Sequence, residues 1–227
     1  MENHTLFNVL SSFHGVEGEE EKLIPQFKEI ARYLLSGGYF LINKKRRICL
    51  TDIEFYYHEE GSEGKKIKDP IMYHSYDHEK DTKVVKDNNN KLPFLSLCSL
   101  NTHVSGIDVT FENEEQQYRA SFLIRGYKRD DQKEEIHSTQ IYEDFFMGIP
   151  LSQNIIIEWE NEGNLCSHLD IESTVRLRVP AYQKDSHGDY ITDAKGNYMR
   201  DFTVKDGKKV FKQCSRKWRF KRINDNR

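Results

Sequence analysis

A β-favouring run of ten residues, Ile48–Tyr57, restricts the fold most strongly because it carries two carboxylates inside a mostly apolar strand. Side chains of a strand alternate between its two faces. The face expected to pack on the core carries Cys49, Thr51, Ile53, Phe55 and Tyr57. The opposite face carries Ile48, Leu50, Asp52, Glu54 and Tyr56. A carboxylate beside an aromatic ring in a half-apolar setting is typical of a pocket; a solvent-facing glutamate on an amphipathic strand is the alternative.

The segments around this strand predict a mixed α+β domain. Residues 1–35 form an N-terminal helical segment, since apolar residues recur at helical spacing from Ile24 to Leu35 before Gly37. A short strand follows at Tyr39–Ile42. Two further β-like runs, 103–111 and 118–124, are separated by polar residues and predict an antiparallel hairpin. We expect a single domain over residues 1–227 with long surface loops.

Other stretches are less regular. Residues 58–92 contain few apolar side chains and predict an irregular insertion. Residues 139–160 fit either a helix around Tyr142–Phe146 or a strand at Asn154–Trp159. Further β-like runs at Thr174–Val179 and Trp218–Phe220 flank a turn-rich excursion, and we expect no internal repeat.

Composition excludes several classes of protein. Aromatic residues make up 12 % of the chain, too many for a disordered protein, and the apolar runs are too short to span a membrane. The first four residues have neither the basic nor the apolar region of a secretory signal. The four cysteines form no Cys-x-x-Cys pair, which argues against a zinc ribbon and favours reduced thiols. We expect a cytoplasmic monomer that needs no cofactor and contacts no membrane.

Positive charge is concentrated at the C-terminal end. The net charge is −3, but the basic segment 205–227 contains ten lysines and arginines against Asp206 and Asp225. Such a segment fits either a nucleic-acid-facing edge or a solvated, charged tail.

Two polar groupings extend the list of candidates. Arg125 closes an apolar strand, from which its guanidinium either enters a cleft or extends to solvent. A hairpin turn near Glu114 would place Arg125 opposite His103–Gly106. Separately, His74 and His78 lie four residues apart with Asp77 between them, which is a weak metal-binding pattern without further ligands at a diagnostic spacing.

Taken in order, these segments resemble the alkyladenine (3-methyladenine, or N-methylpurine) DNA glycosylase family. The helix end Ala31–Gly37 matches that family's Ala-x-x-Leu-Leu-Gly. Residues 52–56 correspond to its Glu-Thr-Glu-Ala-Tyr motif, and Asp69–His74 corresponds to the Asp-Pro-x-x-His segment that follows, with one extra residue before the histidine. The remaining counterparts are Ser105–Ile107, Leu123–Gly126, Val175–Val179 and Lys217–Phe220. The resemblance extends over most of the chain.

The resemblance implies a curved antiparallel sheet and a monofunctional DNA glycosylase without a lyase step. Glu54 would activate a water molecule and stabilise the sugar cation, and Arg125 would hold the water, the carboxylate or a phosphate. Tyr56 would stack on the flipped-out base, and His74 would line its pocket. The base pocket and DNA contacts would also include His103, Ser105, Gly106, Asp108, Arg176 and Arg219. The partner would be duplex DNA with a modified base, or single-stranded DNA, and no metal is implied.

Some residues depart from the family pattern. Ser105 stands where the family has an aromatic wedge, and Asp108 or Glu112 stands near the position of its pocket asparagine. Two alternatives therefore stay open. One is a non-catalytic nucleic-acid-binding relative, and the other is a metal-dependent nuclease using His74, Asp77 and His78.

Overall fold

The computed structural model describes residues 5–61, 65–72, 93–103, 105–130, 135–137, 140–148, 154–161, 170–195 and 197–223. The α-helices are α1 (Leu6–Ser11), α2 (Leu23–Leu35) and α3 (Ile141–Phe146). The strands are β1 (Gly38–Ile42), β2 (Arg46–Glu59), β3 (Leu100–His103), β4 (Gly106–Thr110), β5 (Tyr118–Arg129), β6 (Ile136–His137), β7 (Ile157–Asn161), β8 (Ile171–Thr174), β9 (Phe202–Lys205), β10 (Lys208–Phe211) and β11 (Arg219–Arg222).

Nine of these strands form one curled antiparallel sheet, which confirms the predicted α+β fold. Its main path runs β3-β4-β5-β2-β1-β7, while β11 pairs with both β2 and β8 and β6 pairs with β5. The predicted hairpin is β4–β5, with Asp108 opposite Leu123. In the described part of the chain, no helix is both long and apolar enough to cross a membrane.

One face of the sheet packs on the helices. Apolar residues of α2 at helical spacing, from Leu23 to Leu35, turn toward the sheet and are buried. The Phe27 ring stacks on Phe55 of β2 with centroids 4.4 Å apart and meets the edge of Trp218 at 5.6 Å. Burying a side chain of this size contributes about 1.5–3 kcal/mol to folding. This core fixes the position of β2 and thereby of the carboxylates that β2 carries.

Strict alternation along β2 proves wrong at its centre. Ile48 and Leu50, predicted to share a face with Glu54, belong instead to the core together with Ile53 and Phe55. The pairing with β5 is irregular around Asp52, between the regular stretches on either side. This irregularity changes the phase of the alternation, so that apolar residues from both halves of β2 reach the core. Only the second half presents Glu54 to the opposite face.

Several predicted boundaries also move. The N-terminal segment 1–35 is not one helix: α1 ends at Ser11, and Glu17 and Gly18 both have positive φ before α2 begins. The insertion predicted at 58–92 starts too early, because His58 and Glu59 belong to β2. Residues 139–160 hold both a helix and a strand, namely α3 and β7.

The C-terminal half differs more. The strand predicted at Thr174–Val179 is wrong beyond Thr174, where β8 ends. The basic segment 205–227 is no simple tail: as far as residue 223 it holds β10 and β11, and Arg216 forms an ion pair with Glu20 at 2.9 Å. The last four residues lie outside the described part of the chain.

The turn-rich excursion contains an eight-residue repeat, contrary to the expectation of none. Tyr-x-x-Asp begins at Tyr182, Tyr190 and Tyr198, and the first two copies continue with x-x-Gly. In these copies the Oδ1 atoms of Asp185 and Asp193 accept N–H groups two and four residues further on, at 2.8–3.0 Å. The repeat is hard to recognise in sequence because it is short and because all positions apart from the tyrosine, the aspartate and the glycine vary.

The three copies close into a ring. Gln183 N–H donates to the Met199 carbonyl, Met199 N–H to Ile191, and Ile191 N–H to Gln183, at 2.8–3.0 Å. The three tyrosine rings contact one another edge to face, with centroids 5.6–6.2 Å apart. We call residues 182–201 the tyrosine repeat. It is a local unit because each copy satisfies the backbone of the next.

The close approach of β2 and β5 at the phase change can be tested with Gly126→Ala. A Cβ atom at Gly126 would lie 2.8 Å from Glu135 Oε1, 2.9 Å from Thr51 Oγ1 and 3.0 Å from Asp52 Cβ, so these neighbours must shift. We expect a loss of about 1–3 kcal/mol in the free energy of unfolding, measured by urea titration. Adding Thr51→Ala should recover part of that loss, whereas an unchanged stability of the single variant would contradict this packing.

Candidate active site

The face of the sheet that points away from the helices is polar near its centre. Antiparallel pairing places Glu54 of β2 between Leu123 of β5 and Arg219 of β11. Directly paired residues of neighbouring strands share a face. The face therefore carries Glu54, Tyr56, Asp108, Leu123, Arg125 and Arg219.

The Glu54 carboxylate lies at the centre of this face and is completely buried. Its Oε1 atom accepts the Tyr56 hydroxyl at 2.5 Å and Arg125 Nη2 at 2.6 Å. Its Oε2 atom accepts the backbone N–H of Leu177 at 2.7 Å. All three partners are donors, which suits an ionised carboxylate, a group that only accepts hydrogen bonds. The predicted meeting of Glu54 and Arg125 is thus present.

The two side chains that hold Glu54 keep their protons. Burial raises the pKa of Tyr56 well above its usual value, and the neighbouring Glu54 charge raises it further. Burial alone would lower the pKa of Arg125, but Tyr56 and Glu54 outweigh it and the pKa is raised. Tyr56 therefore acts as a hydrogen-bond donor and not as a base.

Polar atoms beside this cluster have unused hydrogen-bonding capacity. Within the described residues, Arg125 Nε, Asp108 Oδ1 and Ser121 Oγ are buried and have no hydrogen-bond partner. Buried polar atoms are usually paired, so such a group of exceptions is typical of a place where water or a ligand binds. Ser121 and Arg125 lie on β5, which pairs with β2, and Asp108 lies on β4, the next strand beyond β5.

His103 and its neighbours lie at the edge of the same face. His103 Nε2 is 3.2 Å from Asp108 Oδ2, and the Ser105 N–H donates to His103 Nδ1 at 3.3 Å. The Tyr142 hydroxyl donates to the carbonyls of His103 and Gly106. The β4–β5 register, extended by two residues beyond Asp108, puts Gly106 opposite Arg125, as the hairpin predicts. His103, Ser105, Gly106, Asp108 and Arg125 therefore form one neighbourhood.

The contacts of Tyr56 are at odds with stacking on a base. Its side chain is 7 % exposed and packs with Met72 and Leu123. The Arg176 guanidinium lies 5.3 Å from the centre of its ring. Because its ring is already covered, Tyr56 serves the site through its hydroxyl, which positions Glu54.

Arg176 is buried and bound to a carboxylate. Its Nη1 and Nη2 atoms donate to the two oxygens of Asp69, at 2.5 and 3.3 Å. Burial alone would raise the pKa of Asp69, but Arg176 and Arg216 outweigh it and lower the pKa. Asp69 therefore occupies both Nη atoms of Arg176, and the predicted contact of Arg176 with DNA stays a prediction that only its Nε atom is left to make.

Arg219 also binds a buried carboxylate. Its Nε atom lies 2.9 and 3.1 Å from the two oxygens of Asp52, and Nη2 donates to Oδ2 as well. Burial raises the pKa of Asp52 although Arg219 opposes the shift. Arg219 thus fastens β11 to β2 beside Glu54, and the predicted DNA contact is replaced by this internal one.

Two predicted groups of residues are not part of the Glu54 cluster. His74, Asp77 and His78 lie outside the described residues. Within the described part of the chain, no three His, Cys, Asp or Glu side chains are placed to hold a metal ion. Glu112, the other acid considered for the pocket, forms an ion pair with Arg119 at 3.1 Å.

Sequence reasoning missed two contributors. The Leu177 N–H reaches Glu54 from a segment without regular structure, and a backbone donor carries no signal in the side-chain pattern. Arg216 stacks on Trp218 at 4.4 Å beside Arg176, and its place in a basic run had suggested only surface charge.

No family model matches the chain, and neither curated proteins nor solved structures give a match.

The Asp69–Arg176 pair predicts an acid-dependent loss of stability. A carboxyl whose folded pKa is lowered stabilises the fold above its unfolded pKa, about 3.9, and loses that contribution as the pH falls through the folded value. Asp69→Asn should lower the free energy of unfolding at pH 7 by about 3–5 kcal/mol, since Arg176 would stay buried without its partner. Its stability should also depend less on pH below about 4 than that of the wild type.

The matched control is Asp201→Asn, which breaks the more exposed pair with Lys212. Exposed pairs contribute about 0–1 kcal/mol, so this variant should unfold almost like the wild type. Urea titrations at several pH values measure both effects. Equal losses for the two variants would show that burial of the Asp69 pair has no energetic weight.

Proposed function

We propose that this protein is a monofunctional DNA glycosylase that hydrolyses the N-glycosidic bond of a flipped-out modified base. The observation that carries the proposal is the buried Glu54 carboxylate held at 2.6 Å by Arg125. The resemblance of the motif order to alkyladenine DNA glycosylases supports the same reaction class. A base inside the duplex shields its glycosidic bond, so the nucleotide must first rotate out of the stack.

The three donors leave one acceptor position of the Glu54 carboxylate unfilled, and we assign a water molecule to it. An ionised carboxylate has about four acceptor positions, and the three donors occupy three of them. Oε1 accepts two donors and Oε2 accepts one, so the remaining position is on Oε2. A water bound there would be oriented by a carboxylate that cannot rotate, because three groups fix it.

The reaction follows from this placement. As the bond between C1′ and the base nitrogen breaks, its electron pair leaves with the base and positive charge develops on the sugar. The Glu54 charge stabilises that cation, and its carboxylate takes a proton from the water as the water oxygen bonds to C1′. The proton that Glu54 has taken then passes to the departed base or to solvent, so the products are the free base and an abasic site, with the DNA strand intact.

The surface next to Glu54 supports binding to DNA. Leu177, whose backbone holds Glu54, exposes 42 % of its side chain, and Val175 exposes 45 %. Arg178 is exposed directly after Leu177, and the exposed Lys217 accepts the Ser173 hydroxyl through its carbonyl. Cations of this kind bind phosphates, and an exposed apolar side chain is able to fill the gap that a flipped-out base leaves.

A second candidate is a nucleic-acid-binding protein without catalysis. It is favoured by one observation, that Glu54 is fully buried and the ring of Tyr56 beside it is covered. In that case the Glu54–Arg125 pair would only fasten β2, β5 and the Leu177 segment together.

Glu54→Gln tests the glycosylase proposal. We expect the rate of base release to fall by about 10²–10⁴-fold, the usual contribution of a general base, while binding to DNA is retained. The matched control is Glu160→Gln, since Glu160 also lies on a strand and accepts a tyrosine hydroxyl, that of Tyr39, at 2.6 Å. Duplexes with different modified bases are incubated with each protein, and hot alkali then cleaves any abasic sites.

The outcomes separate the two candidates. Abasic sites made by the wild type and by Glu160→Gln, but not by Glu54→Gln, support the glycosylase. Salt-sensitive binding to DNA by all three proteins, without abasic sites on any duplex, would establish the non-catalytic candidate instead.

A further inference from the structure

A cavity of about 150 Å³ lies between the sheet and the tyrosine repeat. Its walls include Asp69, Arg176, Lys184, Tyr190, Cys214 and Arg216. We call it the arginine cavity. It is separate from the Glu54 cluster but adjoins it, since Arg176 lies against the ring of Tyr56.

Positive charge dominates the lining of the arginine cavity. Three cations, Arg176, Lys184 and Arg216, face one carboxylate, that of Asp69. Arg216 is bound from behind by Glu20, at 2.9 and 3.0 Å, which does not line the cavity. Glu20 and Asp189 lie outside the lining, so the side chains that face the cavity carry three positive charges against one negative charge, which favours an anion.

Two donors in the lining are available to such an anion. Arg176 is 2 % exposed, and its Nε atom is buried without a hydrogen-bond partner in the described part of the chain. Lys184 places its ammonium 4.8 Å from the centre of the Tyr190 ring, and no described carboxylate forms an ion pair with it. A buried guanidinium N–H and an ammonium are groups that bind phosphate strongly.

The pKa shifts of two lining residues agree with a cavity that attracts negative charge. Burial lowers the pKa of Lys184 and the nearby Arg216 lowers it further, although Glu20 and Asp189 oppose the shift. A bound anion would relieve this repulsion. Burial raises the pKa of Tyr190 to about 12, so its hydroxyl keeps its proton and remains a donor at neutral pH.

We propose that the arginine cavity binds a phosphate group. Its volume of about 150 Å³ compares with a share of about 30 Å³ for one water molecule in the liquid, which leaves room for a tetrahedral oxyanion. Lys184 remains accessible to solvent, so the group can enter from outside. The phosphate is either free or part of a nucleic-acid strand, and the binding does not depend on base excision at Glu54.

The experiment compares wild type with Lys184→Ala, and uses Lys195→Ala as the matched control. Lys195 is exposed in the second copy of the tyrosine repeat and does not line the cavity. One arm measures the melting temperature in potassium phosphate against potassium chloride at equal ionic strength. The other arm measures binding of a fluorescent oligonucleotide by anisotropy, also at fixed ionic strength.

We expect phosphate to raise the melting temperature of wild type and of Lys195→Ala. The apparent Kd of Lys184→Ala should be about 10- to 100-fold higher than that of wild type, the range for the loss of one charge-assisted hydrogen bond. A Lys184-dependent effect confined to the oligonucleotide would identify the phosphate as that of a strand. The proposal is overturned if neither probe depends on Lys184, or if Lys195→Ala weakens binding as much. Base release is not measured, so failure here is distinct from failure of the glycosylase proposal.

Discussion

Four buried or nearly buried carboxylates on and beside β2 are each held by an arginine from another part of the chain, and the polar face of the sheet depends on these pairs. They are Asp52–Arg219, Glu54–Arg125, Glu60–Arg119 and Asp69–Arg176. An unpaired ion in such a place costs several kcal/mol, and attraction offsets that cost only where geometry and hydrogen bonds are good. The first two pairs tie β2 to β11 and to β5, the third ties the residue after β2 to β5, and the fourth ties the segment at Asp69 to the segment after β8. The pairs therefore fix which segments surround Glu54.

Glu54 differs from Asp52 and Asp69 in how it is held. Asp52 and Asp69 each face an arginine side on, with both carboxylate oxygens engaged by the guanidinium. Glu54 instead receives single donors from a phenol, a guanidinium and a backbone N–H. Such a mixed set fixes the orientation of the carboxylate without filling all of its acceptor positions. This difference favours a chemical role for Glu54 and a structural role for the others.

The sequence predicted the contact between Glu54 and Arg125 only through the family resemblance, whereas hairpin pairing, which acts locally along the chain, predicted that Arg125 lies opposite Gly106. It failed at Ile48 and Leu50, where burial of apolar side chains won over strict alternation through an irregular pairing. It also assigned Arg176 to DNA, because residue type alone does not reveal that Asp69 lies within reach. Ion pairs between distant segments depend on tertiary packing, and a backbone donor such as Leu177 N–H leaves no trace in the sequence pattern.

The most direct test of the central claim is chemical rescue of Glu54→Ala. Removing the side chain opens a space beside Arg125, Tyr56 and Leu177, where formate is able to supply the missing carboxylate. The rate of abasic-site formation on a modified duplex is measured with and without formate. If Glu54 is the base, the variant is inactive and formate restores part of the rate. Base release by Glu54→Ala at the wild-type rate, without formate, would contradict the claim.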